Sequence, residues 1–145
     1  MNTQDLLTRL QCEEVLLNFF SLLDQGARTE AAALFDDNAV VIAPNGSELS
    51  GSAVRTFIES RPDTLVTRHL AANVSITPTG SDSAQATANI TVYRVSRAEG
   101  DVPPFRLPQT PQAVGDLKIH FRKNGDGWLI TKYHATPIFE EPVAC

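Results

Sequence analysis

The stretch from Leu65 to Val95 constrains this chain more than any other. Leu65-Val66-Thr67-Arg68-His69-Leu70 continues in polar alternation to Thr77, Pro78-Thr79-Gly80 makes a turn, and a second alternating segment starts at Ala84. The β-branched residues, the period of two and the Pro/Gly turn predict a long β-hairpin with an Arg-His pair near its start. Helical sequence lies before it and strand sequence after it. The hairpin is therefore expected to begin a curved sheet whose concave side is covered by the preceding helices.

Ahead of the hairpin, Leu6, Leu7, Leu10, Val15, Leu17, Phe19, Phe20, Leu22 and Leu23 recur at spacings of three and four. This predicts an amphipathic helix from about Thr3 to Gln25, stopped by Gly26. The Ala-rich segment from Arg28 to near Phe35 predicts a second helix that can pack close to a neighbour. Asp36-Asp37-Asn38 is expected to break it, and Ala39 to Ala43, bounded by Pro44-Asn45-Gly46, fits a short buried strand. A short helix over Ala53 to Glu59, capped by Ser50 or Ser52, cannot continue beyond Arg61 because Pro62 follows.

In the second hairpin strand Ala84, Ala86, Ala88, Ile90 and Val92 share one face, and Gln85, Thr87, Asn89, Thr91 and Tyr93 share the other. The Pro-rich run from Asp101 to Pro111 cannot lie in a central strand and is expected to be a long loop or an interrupted edge. Strand character resumes from Ala113 to Lys123, with Leu117, Ile119 and Phe121 opposite Asp116, Lys118, His120 and Arg122. Asn124-Gly125-Asp126-Gly127 is a hairpin turn, and Trp128 to His134 is the returning strand. Pro137 to Cys145 carries no pattern. Helices ahead of about four long antiparallel strands indicate an α+β fold. The N-terminal helices should pack in the concavity of a strongly curved, mainly antiparallel sheet, leaving a cavity where the cover is incomplete.

A length of 145 residues suits one domain over 1–145 and is enough to bury a core. With 42% hydrophobic and 20% charged residues the chain is neither disordered nor membrane-spanning in character. Its net charge of −5 gives no electrostatic footprint for nucleic acid. The first residues carry no leader pattern, so a cytoplasmic location is the expectation. Cys12 and Cys145 are too isolated to suggest a metal site or a disulfide framework. His69, His120 and His134 fall on separate predicted strands, without metal-binding spacing, and no Gly-rich phosphate loop occurs.

The element order, together with several short motifs, resembles the nuclear transport factor 2-like superfamily and, within it, the SnoaL-like polyketide cyclase and scytalone dehydratase-like branch. The motifs are Leu22-Leu23-Asp24-Gln25-Gly26, Ala33 to Val40, Thr67 to Asn73, Gly115-Asp116-Leu117 and Asn124 to Ile130. The resemblance implies a cone-shaped α+β barrel with an apolar pocket, usually a homodimer formed through the outer sheet face; no cofactor is expected. It leaves the chemistry open, because such folds host dehydratases, isomerases, cyclases, hydrolases, dioxygenase small subunits and proteins without activity.

Asp24, where the apolar face of the first helix ends, and His69, on the strand beneath, are the candidate catalytic pair. Imidazole titrates near neutrality, and a neighbouring carboxylate fixes its tautomer, which makes a usable general acid/base. Similar dehydratases use such a pair to remove a proton beside a carbonyl and to assist loss of a hydroxyl. This chain departs from them in having Leu23 in place of a tyrosine before the aspartate, and no histidine in the Ala84–Val95 strand. The bland alternative is a solvated Asp24 and a structural His69. Phe20, Leu23, Val41, Phe57, Tyr93, Asp116 and Trp128 are expected around the pocket, although a tryptophan on such a strand, as Trp128 is, is more often core than ligand platform. Asp116 shares a face with Lys118, His120 and Arg122, which reads as a charge ladder on the outer sheet. Arg68 alternates with His69 and is expected to face outward, in an ion pair or dimer contact. The expected ligand is a small apolar or aromatic molecule. A cofactor-free lyase or isomerase, a non-catalytic binder and a dimeric accessory subunit remain alternatives.

Overall fold

In a computed structural model, which describes residues 2–107 and 109–140, the first helix α1 runs from Thr3 to Asp24. The Asn2 side chain accepts the Asp5 N–H at 2.7 Å and caps it. At its end the Gly26 N–H donates to the Leu23 carbonyl and the Ala27 N–H to the Leu22 carbonyl, with Gly26 at φ +77°. This is a Schellman stop, and only glycine takes that backbone conformation without strain. The helix therefore ends with Asp24 as its last residue. Its buried face consists of Thr8, Cys12, Leu16, Phe19, Phe20 and Leu23. Leu6, Leu7, Leu10 and Leu17, counted in the expected apolar face, are exposed, because the leucines are spread around the helix.

The second helix, α2, is shorter than expected, Arg28–Ala32, because Phe35 already opens the first strand, β1 (Phe35–Ile42). Asp36-Asp37-Asn38 does not separate helix from strand. It forms an irregularity within β1, where the pairing register shifts between Phe35 and Val40. A three-residue strand, β2 (Glu48–Ser50), pairs back on β1, and α3 (Ser52–Glu59) follows. Neither serine caps α3. Gly51, at φ +63°, holds the N-cap position without a side-chain bond.

Four long strands follow: β3 (Leu65–Pro78), β4 (Ser83–Ser96), β5 (Ala113–Asn124) and β6 (Gly127–Glu140). The last runs beyond the expected His134, through a segment without alternation. The sheet order is β2-β1-β6-β5-β4-β3, antiparallel except for β1 on β6. It curls without closing, so the barrel expected from the resemblance is an open one with β2 and β3 as edges. The inward faces of β4 to β6, including Ala84, Ala86, Ala88, Ile119, Phe121 and Ile130, pack on the buried stripe of α1. Small alanines on β4 let the helix lie close. Trp128 belongs to this core, 4% exposed, with its indole N–H on the Gln11 side chain at 2.9 Å. Cys12 is buried and free, and burial pushes its thiol up to about 12. Cys145 lies outside the described residues. Among these no helix is long and apolar enough to cross a membrane.

Candidate functional site

The end of α1 and the start of β3 meet where the sequence predicted. As an edge strand, β3 has outward backbone N–H groups without a strand partner, and Asp24 takes up one of them. Its Oδ2 accepts the His69 backbone N–H at 2.8 Å, while Oδ1 faces His69 Nδ1 at 2.6 Å. The Thr67 hydroxyl donates to the same Oδ1 at 2.8 Å, and itself accepts from the Arg61 guanidinium at 3.0 Å. A directed chain results, from Arg61 through Thr67 to Asp24, with His69 on the other side of the carboxylate. Burial works to raise the Asp24 pKa. The hydrogen bonds from the His69 side chain, the His69 backbone and Thr67 outweigh it and hold the carboxyl below its ordinary value.

An ionised Asp24 can only accept, so Nδ1 of a neutral His69 carries the ring proton and Nε2 is left as a base. The ring is fixed from its other side by Phe20, stacked at 5.2 Å between centroids and 12° between planes. Both side chains of the pair are largely buried, His69 at 11% and Asp24 at 12% exposure.

His69 lines a cavity of about 260 Å³ that draws on all six strands and the helices α1 and α3. Val41 comes from β1, Leu49 from β2, Ile90 and Val92 from β4, Gly115 from β5, and Tyr133 and Ala135 from β6. The helices add Phe19, Leu23, Val54, Phe57 and Ile58. Among the described residues of this apolar wall Arg61, His69 and Tyr133 offer polar side chains, while Thr136, paired with the outward Asp116, meets the wall with its backbone. Phe57, 59% exposed, sits at the rim.

Of the residues expected around the pocket, Leu23, Val41 and Phe57 line it. Phe20 lies behind His69, on a shallow outer depression with Asp24, Ser21 and Arg68. Tyr93 and Asp116 are on the other side of the sheet. Alternation puts Tyr93 opposite Arg68, and Asp116 accepts from Asn89 at 2.9 Å on the outer face. Trp128 is core. Arg68 faces outward as expected, but its guanidinium turns back onto the Thr67 carbonyl at 2.6 Å. His120 also lies on the outer face. Burial first, and then Lys132 and Lys118, lower its pKa. The outer face is thus no ladder of opposite charges at this point.

Arg61 and Tyr133 were missed by the sequence reading. Strict alternation from Trp128 and Ile130 sends Tyr133 outward. A bulge between His120/Phe121 and Ile130/Lys132 inserts Thr131 as an extra residue and flips Tyr133 and Ala135 inward. The Tyr133 ring lies edge-on to Phe19 at 5.9 Å. Its hydroxyl makes no hydrogen bond among the described residues, and burial raises its pKa, so it stays a neutral donor. Arg61 stands in the loop after α3, where only its position just before Pro62 was noted.

Residues 4–134 match the model of the SnoaL-like domain, and the chain belongs to that family. Among curated proteins none matches this chain. Solved structures share the fold at low identity. A provisionally named scytalone dehydratase from Novosphingobium aromaticivorans superposes with a TM-score of 0.82 at 16% identity, covering 100% of this chain and 95% of its own. A provisionally named dehydratase of the nuclear transport factor 2-like family from Streptomyces avermitilis gives 0.73 at 17% identity, covering 91% and 96%. ActVI-ORFA from Streptomyces coelicolor gives 0.68 at 15% identity, covering 89% and 96%. The fold is therefore the cystatin-like one of nuclear transport factor 2-like proteins, shared with an NTF2-like protein of cystatin-like fold from Novosphingobium aromaticivorans at a TM-score of 0.67 and 16% identity, covering 88% of this chain and 80% of its own.

Proposed function

We propose that this SnoaL-like protein binds a small apolar or aromatic molecule in its cavity and acts on it as a cofactor-independent lyase or isomerase. The observation that carries the reading is His69, which lines an apolar cavity while Asp24 locks its Nδ1. In this reading Nε2 removes a proton from a carbon beside a carbonyl, and Asp24 stabilises the imidazolium that forms. The same imidazolium returns its proton either to a departing hydroxyl, releasing water, or to another carbon, giving an isomer. Tyr133, a neutral donor on the cavity wall, is placed to polarise the carbonyl as the enolate develops. The dehydratase names carried by two of the structural relatives agree with the first outcome.

A non-catalytic binder would use the same cavity. An accessory subunit would instead fill it with side chains, which the open volume of about 260 Å³ disfavours. The test is turnover of a panel of β-hydroxy ketones and polyketide-like aromatics by the native chain and by His69→Ala, with ligand affinity measured alongside. Turnover that disappears in His69→Ala while affinity persists supports the enzyme. Equal turnover by both proteins overturns the assignment of His69, and binding without turnover leaves a binder.

A further inference from the structure

We propose that the ligand of this cavity is a small carboxylate with an apolar body, and that Arg61 binds its anionic end. The inference rests on the small-molecule reading above and adds to it the chemical class. Among the described residues Arg61 is the one Lys or Arg side chain on the cavity wall. Among the described residues it has no carboxylate partner. Arg28 pairs with Asp63, Arg55 with Asp37 and Arg122 with Asp36, whereas the Arg61 guanidinium donates, among the described residues, to the Thr67 hydroxyl alone.

A guanidinium has five N–H donors in a planar fork. Among the described residues one neutral acceptor is its only side-chain partner, and the rest of the fork, partly open to solvent beside an apolar wall, is in need of acceptors. The surroundings reinforce this need. Arg94 shares the inward face with Thr67, its partner across β3 and β4, and Arg28 donates to the Arg61 carbonyl. Burial, and then the charges of Arg94 and Arg28, depress the Arg61 pKa, with Asp24 acting the other way. Arg61 remains a cation at any physiological pH. Three guanidiniums thus gather at this end of the cavity, against Asp63, which Arg28 holds, and Asp24, which His69 and Thr67 hold. In a chain of net charge −5 this is a local reversal of sign, suited to drawing in an anion.

A carboxylate matches the guanidinium fork with two parallel hydrogen bonds. Its apolar body then lies against the wall formed by residues such as Ile90, Val92 and Phe19. Binding there would also fix which part of the molecule faces His69, since Arg61 and His69 are joined through Thr67 and Asp24.

The test is calorimetric titration of the native chain, Arg61→Gln and Arg61→Lys with 2-naphthoate and with its neutral isostere 2-naphthamide. The native chain is expected to bind the carboxylate about tenfold or more tightly than the amide, as charge-assisted pairing in a desolvated site implies. Arg61→Gln should abolish that preference by weakening the carboxylate alone, and Arg61→Lys should keep part of it. Equal affinities in the native chain, or a preference that survives Arg61→Gln, overturn the proposal. Should the glutamine variant not fold, the native ratio and its reduction in the lysine variant decide in the same terms. Amide binding without carboxylate preference defeats the carboxylate inference and leaves the cavity reading standing. Binding of neither compound overturns both.

Discussion

At the scale of single residues, the Asp24 carboxylate has two separable effects. As acceptor for the His69 ring it sets the tautomer, and Asp24→Asn would present an amide that lets the imidazole take the wrong one. If the pair is catalytic, Asp24→Asn should lower kcat by about 10³ to 10⁴ with little change in ligand affinity, measured by steady-state kinetics and calorimetry. As a buried, multiply hydrogen-bonded anion Asp24 also stabilises the fold. Its folded pKa lies below the unfolded one, so between the two values the unfolded chain binds more protons. The stabilisation is therefore complete above the unfolded value of about 3.9 and is lost as pH falls through the folded pKa. Asp36 adds to it in the same direction, held down first by its bond from Arg122 and then by the Asn38 N–H. Urea unfolding between pH 2 and 6 should give a stability that declines on the acid side. The decline should be shallower in Asp24→Asn, and an identical slope would refute the linkage. For Tyr133, whose hydroxyl has no partner among the described residues, Tyr133→Phe should leave stability within about 0.5 kcal/mol while weakening ligands that carry a carbonyl.

At the scale of elements, the site depends on irregularities rather than on regular strands. Gly115 stands where β5 changes register against β6, and a Cβ there would meet the Thr136 carbonyl oxygen at 2.5 Å. Neither backbone can yield without disturbing the ladder. Gly115→Ala should thus cost about 1–3 kcal/mol and deform the cavity wall, read as a lower midpoint in chemical denaturation and weaker ligand binding. The same irregularities decide what could be read from sequence. The extent of helix α1, the β3–β4 hairpin, the β5–β6 turn and the meeting of Asp24 with His69 were legible, because Gly26, strand alternation and the turn residues act locally, whereas the buried face of α1 was hidden by leucines spread around it. Tyr133 was not, since the bulge at Thr131 that turns it inward has no local signature. Nor was the parallel pairing of β1 with β6, which joins strands more than eighty residues apart in sequence. Tyr93 and Asp116 were misplaced for a related reason: resemblance and residue type suggested the pocket, whereas their pairing with Arg68 and Asn89 puts them outside.

At the scale of the molecule, the cavity is a local deficit of packing held open by the curl of the sheet, and its cost is what a ligand would relieve. A compound that binds only the folded state stabilises it by RT ln(1 + [L]/Kd), about 2.7 kcal/mol at a hundredfold excess over Kd. A side chain that occupies the space should mimic part of that effect. Ile90 lies on the wall and is 6% exposed, and Ile90→Phe directs a larger ring into the void without adding a polar atom. The variant should keep its melting temperature or gain a few degrees, and should lose the thermal shift that ligands give the native chain. Overpacking predicts the opposite pair of results, a lower melting temperature with ligand response retained. Differential scanning calorimetry of both proteins, with and without an aromatic ligand, separates the two. Retained ligand response in a stable Ile90→Phe would mean that the binding site is not this cavity but the outer depression beside Phe20 and Arg68, where Asp24 and His69 are also reached.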